Sequence, residues 1–296
     1  MNKKKIQDWL VYQVVRLTIT IFSIVPYKLV QVTASFFSFL LGAVFSYRHT
    51  IIKENLRRSF LNKETAFYQQ TIKDYYSHLS DLIFETLKAF SLNKTTLQQH
   101  FHCTNPEIFT PYLAQGQSCI LMGSHHNNWE IACLAFPLQM EFPVFTVYKP
   151  LSNTYLNAYL NKLRSKWGMS MVSMQRVGRT IIEEKNKPSV FVFIADQSPA
   201  STEYAIWTDF LNRDTPFIHG VEKIADKTQY PVFYFSTVKT KRGYYEAVIQ
   251  KIARPKDLES NGLTLQYAIL LEQEIRKAPA HWLWSHRRWK RSRNLL

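Results

Sequence analysis

Residues 119–130 read CILMGSHHNNWE, an apolar run that leads directly into a polar loop. The run has the length and composition of a buried strand, and a helix is expected to begin near the end of the loop. Similar apolar runs follow at residues 143–148, 189–195, 231–238 and 244–249. Stretches with helical spacing stand beside them, at residues 129–140, 153–167, 177–184 and 221–228. This alternation predicts an α/β fold in which helices cover a mostly buried sheet.

The loop after the first run carries a candidate pair of catalytic side chains. His125 directly follows its strand, and ligands of open α/β sheets bind beyond the strand ends. Glu130 comes five residues later, about 140° around a continuous helix, so the two side chains meet only if His125 lies in the loop and Glu130 in the first helical turn. A histidine base oriented by a carboxylate takes the proton of a hydroxyl that attacks an acyl donor. Because the chain has no G-x-S-x-G elbow, direct attack by the acceptor hydroxyl is favoured over a covalent acyl-enzyme.

Two other interpretations of the same residues stay open on spacing alone. His125, His126 and Glu130 are possible metal ligands, although H-E-x-x-H is absent and the sequence places no further ligand beside them. The loop is also compatible with a polar segment that only caps a helix. A metal hydrolase is therefore one alternative to the acyl-transfer interpretation.

The N-terminal region is apolar enough to contact a membrane. Between Trp9 and Tyr47 the only charged residues are Arg16 and Lys28, and residues 29–47 carry no charge. A spanning helix needs about 20 apolar residues. We expect residues 1–47 to form a membrane anchor, spanning or interfacial, and residues 48–296 to form the main domain. A pair of soluble core helices is the alternative, and a cleaved signal peptide fits less well because the apolar stretch is too long.

The charge of the chain indicates where the main domain lies and what it meets. More basic residues follow the apolar region than precede it, which favours a cytoplasmic main domain. The net charge is +15, so the usual partners are nucleic acid, an anionic membrane or an acidic protein. The basic segment 287–293, which includes Trp289, suits a membrane interface. Three cysteines without C-x-x-C spacing argue against a disulfide framework and agree with a reducing compartment.

A set of motifs runs in order through almost the whole chain. They are NLRRSF at 55–60, HHNNWE at 125–130, YKP at 148–150, LRSKWGM at 163–169, ADQ at 195–197, FLN at 210–212 with TPF at 215–217, and Trp284 with HRRWK at 286–290. Together they resemble the bacterial lipid A biosynthesis acyltransferases of the late, lauroyl/myristoyl type. H-x4-E alone is a weak signal, whereas these blocks in this order are specific.

The resemblance implies a fold, a reaction and site residues. The fold would be a glycerol-phosphate-acyltransferase-like sandwich behind an N-terminal membrane-anchoring segment. The enzyme would act on the cytoplasmic face of the cell inner membrane. It would move a fatty acyl chain from acyl carrier protein to a hydroxyl of a lipid A precursor, without a cofactor or a metal. His125 would be the base and Glu130 its partner. The expected substrate-binding or positioning residues are Arg164, Lys149, Asp196 and Gln197.

The same resemblance names partners for the positive charge. Acyl carrier protein is acidic, lipid A precursors carry phosphates, and the cytoplasmic leaflet is anionic. Nucleic acid is not an expected partner. Two alternatives remain: an acyltransferase of the same fold that acts on a lysophospholipid or aminolipid, and a basic membrane-binding or nucleic-acid-binding protein without catalysis.

Overall fold

The computed structural model describes residues 3–253 and 259–293. The helices are α1 (Lys3–Ile24), α2 (Tyr27–Phe39), α3 (His49–Ser59), α4 (Thr65–Ala89), α5 (Lys94–His100), α6 (Thr110–Leu113), α7 (Trp129–Ala135), α8 (Thr154–Arg164), α9 (Val177–Glu183), α10 (Gly220–Thr228) and α11 (Gly262–Lys277). The strands are β1 (Phe101–Cys103), β2 (Cys119–Gly123), β3 (Val144–Tyr148), β4 (Met169–Ser173), β5 (Val190–Ile194), β6 (Ile206–Phe210), β7 (Arg213–Phe217), β8 (Val232–Lys241) and β9 (Tyr244–Ala253).

Seven strands form one sheet in the order β1-β9-β8-β2-β5-β3-β4. All neighbours are parallel except β8 and β9, which form an antiparallel hairpin. The predicted α/β class is confirmed, and each of the five predicted apolar runs contains a strand. Strands covered on both faces read as continuous apolar runs, which makes β2, β3, β5 and the first half of β8 visible in the sequence. In β9, by contrast, buried and exposed side chains alternate.

The strands that the sequence did not reveal are short or half-polar. β1 has three residues, and β4 at the sheet edge mixes apolar and polar side chains. β6 and β7 form a separate two-stranded hairpin. Its turn residues Leu211 and Asn212 both have positive φ angles, 53° and 61°. Turns of this kind match the twist of a hairpin but usually contain glycine, so the pair Leu-Asn gave no turn signal.

The sheet divides the core into two layers. Ile120 and Met122 of β2 belong to the layer that contains α11 and the C-terminal tryptophans, whereas Leu121 belongs to the layer that contains α7. This alternation follows from the two-residue period of a strand. All three side chains are at most 2% exposed, so β2 lies at the centre of the molecule. The loop that follows β2 therefore starts from a rigid strand end.

The N-terminal helices pack on the rest of the protein with one face and leave the other exposed. In α2, Val30 and Ala34 are buried, whereas Val32 and Phe36 are each 64% exposed. Among the described residues, one helical segment, Tyr27–Val44, is long and apolar enough to cross a membrane. The division into an anchor of residues 1–47 and a main domain of residues 48–296 stays a prediction.

The basic C-terminal segment is folded into the domain rather than extended as a tail. Arg288 is 1% exposed, and its guanidinium lies 4.7 Å from the ring centre of Phe217. Trp284 is fully buried, and its carbonyl accepts a hydrogen bond of 3.0 Å from the side-chain amide of Asn55. The motif NLRRSF at 55–60 therefore helps to hold the C-terminal segment in place.

Candidate active site

The end of β2 is fixed by a glycine that no larger residue can replace without a shift. A Cβ atom on Gly123 would lie 2.1 Å from the ring of Phe235 on the neighbouring strand β8. The hydroxyl of Tyr267 donates a hydrogen bond of 2.8 Å to the Gly123 carbonyl. Close packing and this hydrogen bond together set the position from which the loop with His125 departs.

The two asparagines of the loop hold its shape. Asn127 has a positive φ of 56°, which asparagine tolerates better than most residues, and its backbone N–H donates to the carbonyl of His281 at 2.9 Å. The side-chain oxygen of Asn128 accepts a hydrogen bond from the N–H of Ile131 at 3.1 Å and so caps α7. The amide of Asn128 also donates to the buried carboxylate of Glu85. The loop is thus a rigid link between strand and helix.

His125 is paired with a carboxylate that comes 71 residues later in the chain. Its ring Nδ1 lies 2.6 Å from Oδ1 of Asp196, and its backbone N–H donates to Oδ2 of the same residue at 3.0 Å. The parallel register of β2 and β5 explains this contact, because Gly123 pairs with Ile194. His125 comes two residues after Gly123, and Asp196 comes two residues after Ile194. The indole N–H of Trp282 donates to Asp196 Oδ2 at 2.8 Å.

Asp196 is held as an anion inside the protein. Burial by itself raises the pKa of this carboxyl. The charge of His125 and the hydrogen bonds from His125 and Trp282 outweigh burial, and together they lower the pKa to about 2. Since an ionised carboxylate only accepts hydrogen bonds, Nδ1 of His125 must carry the hydrogen.

That tautomer leaves a lone pair on the other ring nitrogen of His125. The side chain is 17% exposed, and its Nε2 lies 3.1 Å from the amide nitrogen of Gln197. The ring of Trp129 packs edge-on against the imidazole, with 4.7 Å between the ring centres. His125 thus has the arrangement of a general base: one nitrogen anchored and the other facing a replaceable polar group.

Glu130 has a different partner from the one that sequence analysis expected. Its carboxylate accepts two hydrogen bonds from the guanidinium of Arg164, at 2.9 Å from Nε and 2.5 Å from Nη2. Burial is the largest single influence on Arg164 and lowers its pKa, but the charge and hydrogen bonds of Glu130, together with the nearby Cys133 and Tyr148, outweigh burial and raise the pKa. The contact with His125 expected of Glu130 is made by Asp196 instead. A catalytic role of Glu130 stays a prediction.

The other predicted positions separate into buried and exposed residues. His126 is 2% exposed and points to α11, where its ring lies 3.2 Å from the carboxylate of Glu274. Lys149 is exposed just after β3.

Across residues 3–253 and 259–293, no group of three histidine, cysteine or acidic side chains is arranged to hold a metal ion.

Two site residues were missed by sequence analysis. Trp282 lies two positions before the quoted Trp284, but its hydrogen bond to Asp196 depends on the way the C-terminal segment folds back. His286 was quoted in a motif without a role, and its Nε2 accepts a hydrogen bond of 3.3 Å from the N–H of Ser198. Both residues support the loop that carries Asp196. A tryptophan-rich C-terminal motif was the signal that could have indicated them.

Comparison with known proteins identifies the family of the chain. No curated protein sequence matches the chain. The sequence profile of the bacterial lipid A biosynthesis acyltransferases matches residues 2–291, nearly the whole chain. The chain is therefore an acyltransferase and belongs to the bacterial lipid A biosynthesis acyltransferase family.

Proposed function

We propose that the protein transfers a fatty acyl chain from acyl carrier protein to a hydroxyl of a lipid A precursor, with His125 as general base. The observation that carries the proposal is the pairing of His125 Nδ1 with the anionic, buried Asp196 at 2.6 Å. In the neutral imidazole this pairing puts the hydrogen on Nδ1 and so leaves the lone pair on Nε2, in a side chain that is 17% exposed.

In the proposed reaction, Nε2 takes the proton of the acceptor hydroxyl as its oxygen attacks the thioester carbonyl of the donor. The C–O bond forms and the tetrahedral intermediate then breaks its C–S bond. The leaving thiolate takes the proton back from the imidazolium, so the enzyme ends in its starting state. The negative charge of Asp196 stabilises the imidazolium between these steps. The acceptor hydroxyl displaces the amide of Gln197 from Nε2 as it binds.

The remaining predicted residues receive roles in binding. Glu130 holds Arg164 through a two-point ion pair that is about four-fifths buried on both sides. A guanidinium fixed in this way binds an anionic part of the donor or acceptor without losing further side-chain entropy. Lys149, at the end of the neighbouring strand β3, is proposed to contact substrate as well.

We propose that the enzyme works on the cytoplasmic face of the inner membrane. The exposed apolar faces of α1 and α2 support this, because monomeric soluble proteins rarely expose large contiguous apolar patches. The net charge of +15 favours an anionic leaflet and an acidic carrier protein. We propose a glycerol-phosphate-acyltransferase-like sandwich as the fold of the main domain. The basis is the mostly parallel sheet and the loop with His125 at the carboxyl end of its central strand β2.

The test is transfer from defined donors to a panel of lipids. Purified protein in detergent is incubated with acylated carrier protein or acyl coenzyme A, and products are identified by mass spectrometry. We expect acylation of a lipid A precursor from the carrier protein, lost in His125→Ala. Acylation of a lysophospholipid or aminolipid instead would establish the alternative acceptor. No transfer by a folded protein to any lipid would contradict the proposal.

A further inference from the structure

A cleft rich in arginine lies beside the C-terminal segment, outside the site described so far. Its volume is about 350 Å³. Four arginines, one aspartate and one tryptophan of the described chain line it: Arg58, Arg213, Arg291, Arg293, Asp214 and Trp289. Their formal net charge is +3, although Arg58 also pairs with Glu54 on its own helix at 2.9 Å. The cleft is therefore a concave surface with excess positive charge.

Two of these arginines are held in place by neighbouring groups. The guanidinium of Arg213 lies 4.1 Å from the ring centre of Trp289, and the indole N–H of Trp289 donates to Thr215 at 2.7 Å. Arg291 donates a hydrogen bond of 2.7 Å to the carbonyl of Ala200. Burial first, and the charge of Arg58 second, lower the pKa of Arg213 to about 10. A bound anion would offset this crowding of positive charge.

The cleft is connected to the base through a short chain of contacts. The rings of Trp289 and Trp282 meet with 5.9 Å between their centres, and Trp282 donates to the carboxylate of Asp196. Ala200, which accepts from Arg291, lies on the same loop, four residues after Asp196. A group bound in the cleft is thus placed in a defined position relative to His125.

We propose that this arginine cleft binds a phosphate group of the acceptor lipid and so selects which hydroxyl reaches His125. This inference rests on the proposed function. Arginine forms two parallel hydrogen bonds with phosphate and keeps its charge, which makes it the preferred residue for such sites. The volume lies at the lower end of the roughly 300–1,000 Å³ typical of small-ligand sites. A carrier protein would instead need a surface of about 800 Å² on each partner.

The test compares a phosphorylated acceptor with the same lipid after enzymatic removal of its phosphates. The variant Arg58→Gln/Arg213→Gln removes two charges from the cleft. The matched control Arg176→Gln/Arg179→Gln removes two exposed charges at the start of α9. For the wild type and the control we expect a higher kcat/KM with the phosphorylated acceptor. For the cleft variant we expect this preference to fall by about 10- to 100-fold, because hydrogen bonds to charged groups contribute that much.

The outcomes separate this inference from the proposed function. An equal loss of kcat/KM with both acceptors, or a preference that the cleft variant retains, would overturn the phosphate site while leaving acyl transfer intact. A wild type that transfers to neither acceptor would contradict the proposed function. In that case, line broadening of inorganic phosphate in ³¹P NMR shows whether the cleft binds an anion. Broadening with the wild type and the control but not with the cleft variant supports an anion site. Equal line widths with all three proteins overturn it.

Discussion

Asp196 accepts three hydrogen bonds, two from His125 and one from Trp282, within a fully enclosed environment. A buried carboxylate without such donors would be neutral, because the loss of water favours the protonated form. The charge of His125 and these hydrogen bonds together reverse that preference, so the group is available as a counter-charge for the imidazolium. The nearer carboxylate in sequence, Glu130, has its charge occupied by Arg164.

The first prediction separates these two carboxylates. We expect His125→Ala to lower single-turnover acyl transfer by about 10²–10⁴-fold, the range of general base catalysis. Asp196→Asn should cost about as much, since an amide stabilises the wrong tautomer and provides no counter-charge. Glu130→Gln should cost less, because the base keeps its anchor, and should chiefly raise KM. All variants are compared at matched folded fraction. A Glu130→Gln defect as large as that of His125→Ala, beside an active Asp196→Asn, would assign the partner role to Glu130.

The second prediction concerns the strand end at Gly123. Gly123→Ala places a methyl group 2.1 Å from a ring atom of Phe235, so the ring or the strand must move. Overpacking of this kind costs about 1–3 kcal/mol. Gly178→Ala on α9 is the control, because its new methyl group meets no atom within 4 Å and alanine favours helix. Urea unfolding in detergent measures both. Equal midpoints for the two variants would show that the packing at β2 is looser than the structure implies.

Helix α2 is tied to the β8–β9 hairpin by a buried ion cluster. Asp81 of α4 lies 2.9 Å from the ammonium of Lys239 and 2.6 Å from the guanidinium of Arg242, which also donates to the Gln31 carbonyl at 2.8 Å. The Asp81 side chain is only 4% exposed. One carboxylate therefore connects α2, through Arg242, with α4 and the sheet.

The third prediction follows from this cluster. Asp81→Asn leaves two cations without their counter-charge, and breaking a buried pair typically costs about 3–5 kcal/mol. We expect a cost at the lower end of this range, because Arg242 is partly exposed and water can solvate its guanidinium once the carboxylate is gone. Glu183→Gln, which breaks the exposed pair with Arg179, should change the free energy of unfolding by less than about 1 kcal/mol. We expect Asp81→Asn also to be cleaved faster by protease between α1 and α2. A free energy of unfolding equal to that of Glu183→Gln would refute the prediction.

The stability of the whole molecule should fall under mildly acidic conditions. Burial is the main cause that lowers the pKa of His281 and of His286 to about 4. In the unfolded chain both titrate near their ordinary pKa of about 6.5. Between these values the unfolded state takes up protons that the folded state does not, so stability decreases as the pH falls from about 6.5 to about 4.

Urea midpoints at pH 7.0, 5.5 and 4.5, at constant ionic strength, measure this fourth prediction. His286→Gln keeps an acceptor for the Ser198 N–H but has no group that titrates in this range. Its midpoint should therefore change less with pH than that of the wild type. Parallel pH profiles for the two proteins would show that His286 does not contribute.

The fifth prediction concerns membrane binding by the molecule as a whole. Val32→Asp/Phe36→Asp places charges on the exposed apolar face of α2. We expect this variant to lose much of its flotation with vesicles that contain anionic lipid. The control Ile182→Asp changes an exposed apolar residue on α9, where we expect no membrane contact. Equal flotation of variant and control would place the membrane contact elsewhere.

Local sequence determined the α/β class, the apolar N-terminal helices and the loop position of His125. Buried parallel strands and amphipathic helices leave periodic patterns that can be recognised without knowledge of distant residues. Motif resemblance also indicated the family and included Asp196 among its positions. Spacing pointed to Glu130 as the partner of His125, because spacing can relate only residues that are close in sequence and Asp196 is 71 residues away.

Tertiary structure alone decided which carboxylate anchors the base. β2 and β5 lie side by side in parallel register, although more than sixty residues separate them, and their carboxyl ends bring His125 and Asp196 to one edge. Trp282 reaches the same carboxylate only because the C-terminal segment folds back over the domain. The arginine cleft likewise combines residues from α3, β7 and the C-terminal segment. Such contacts depend on strand order and chain return, which leave no local pattern in the sequence.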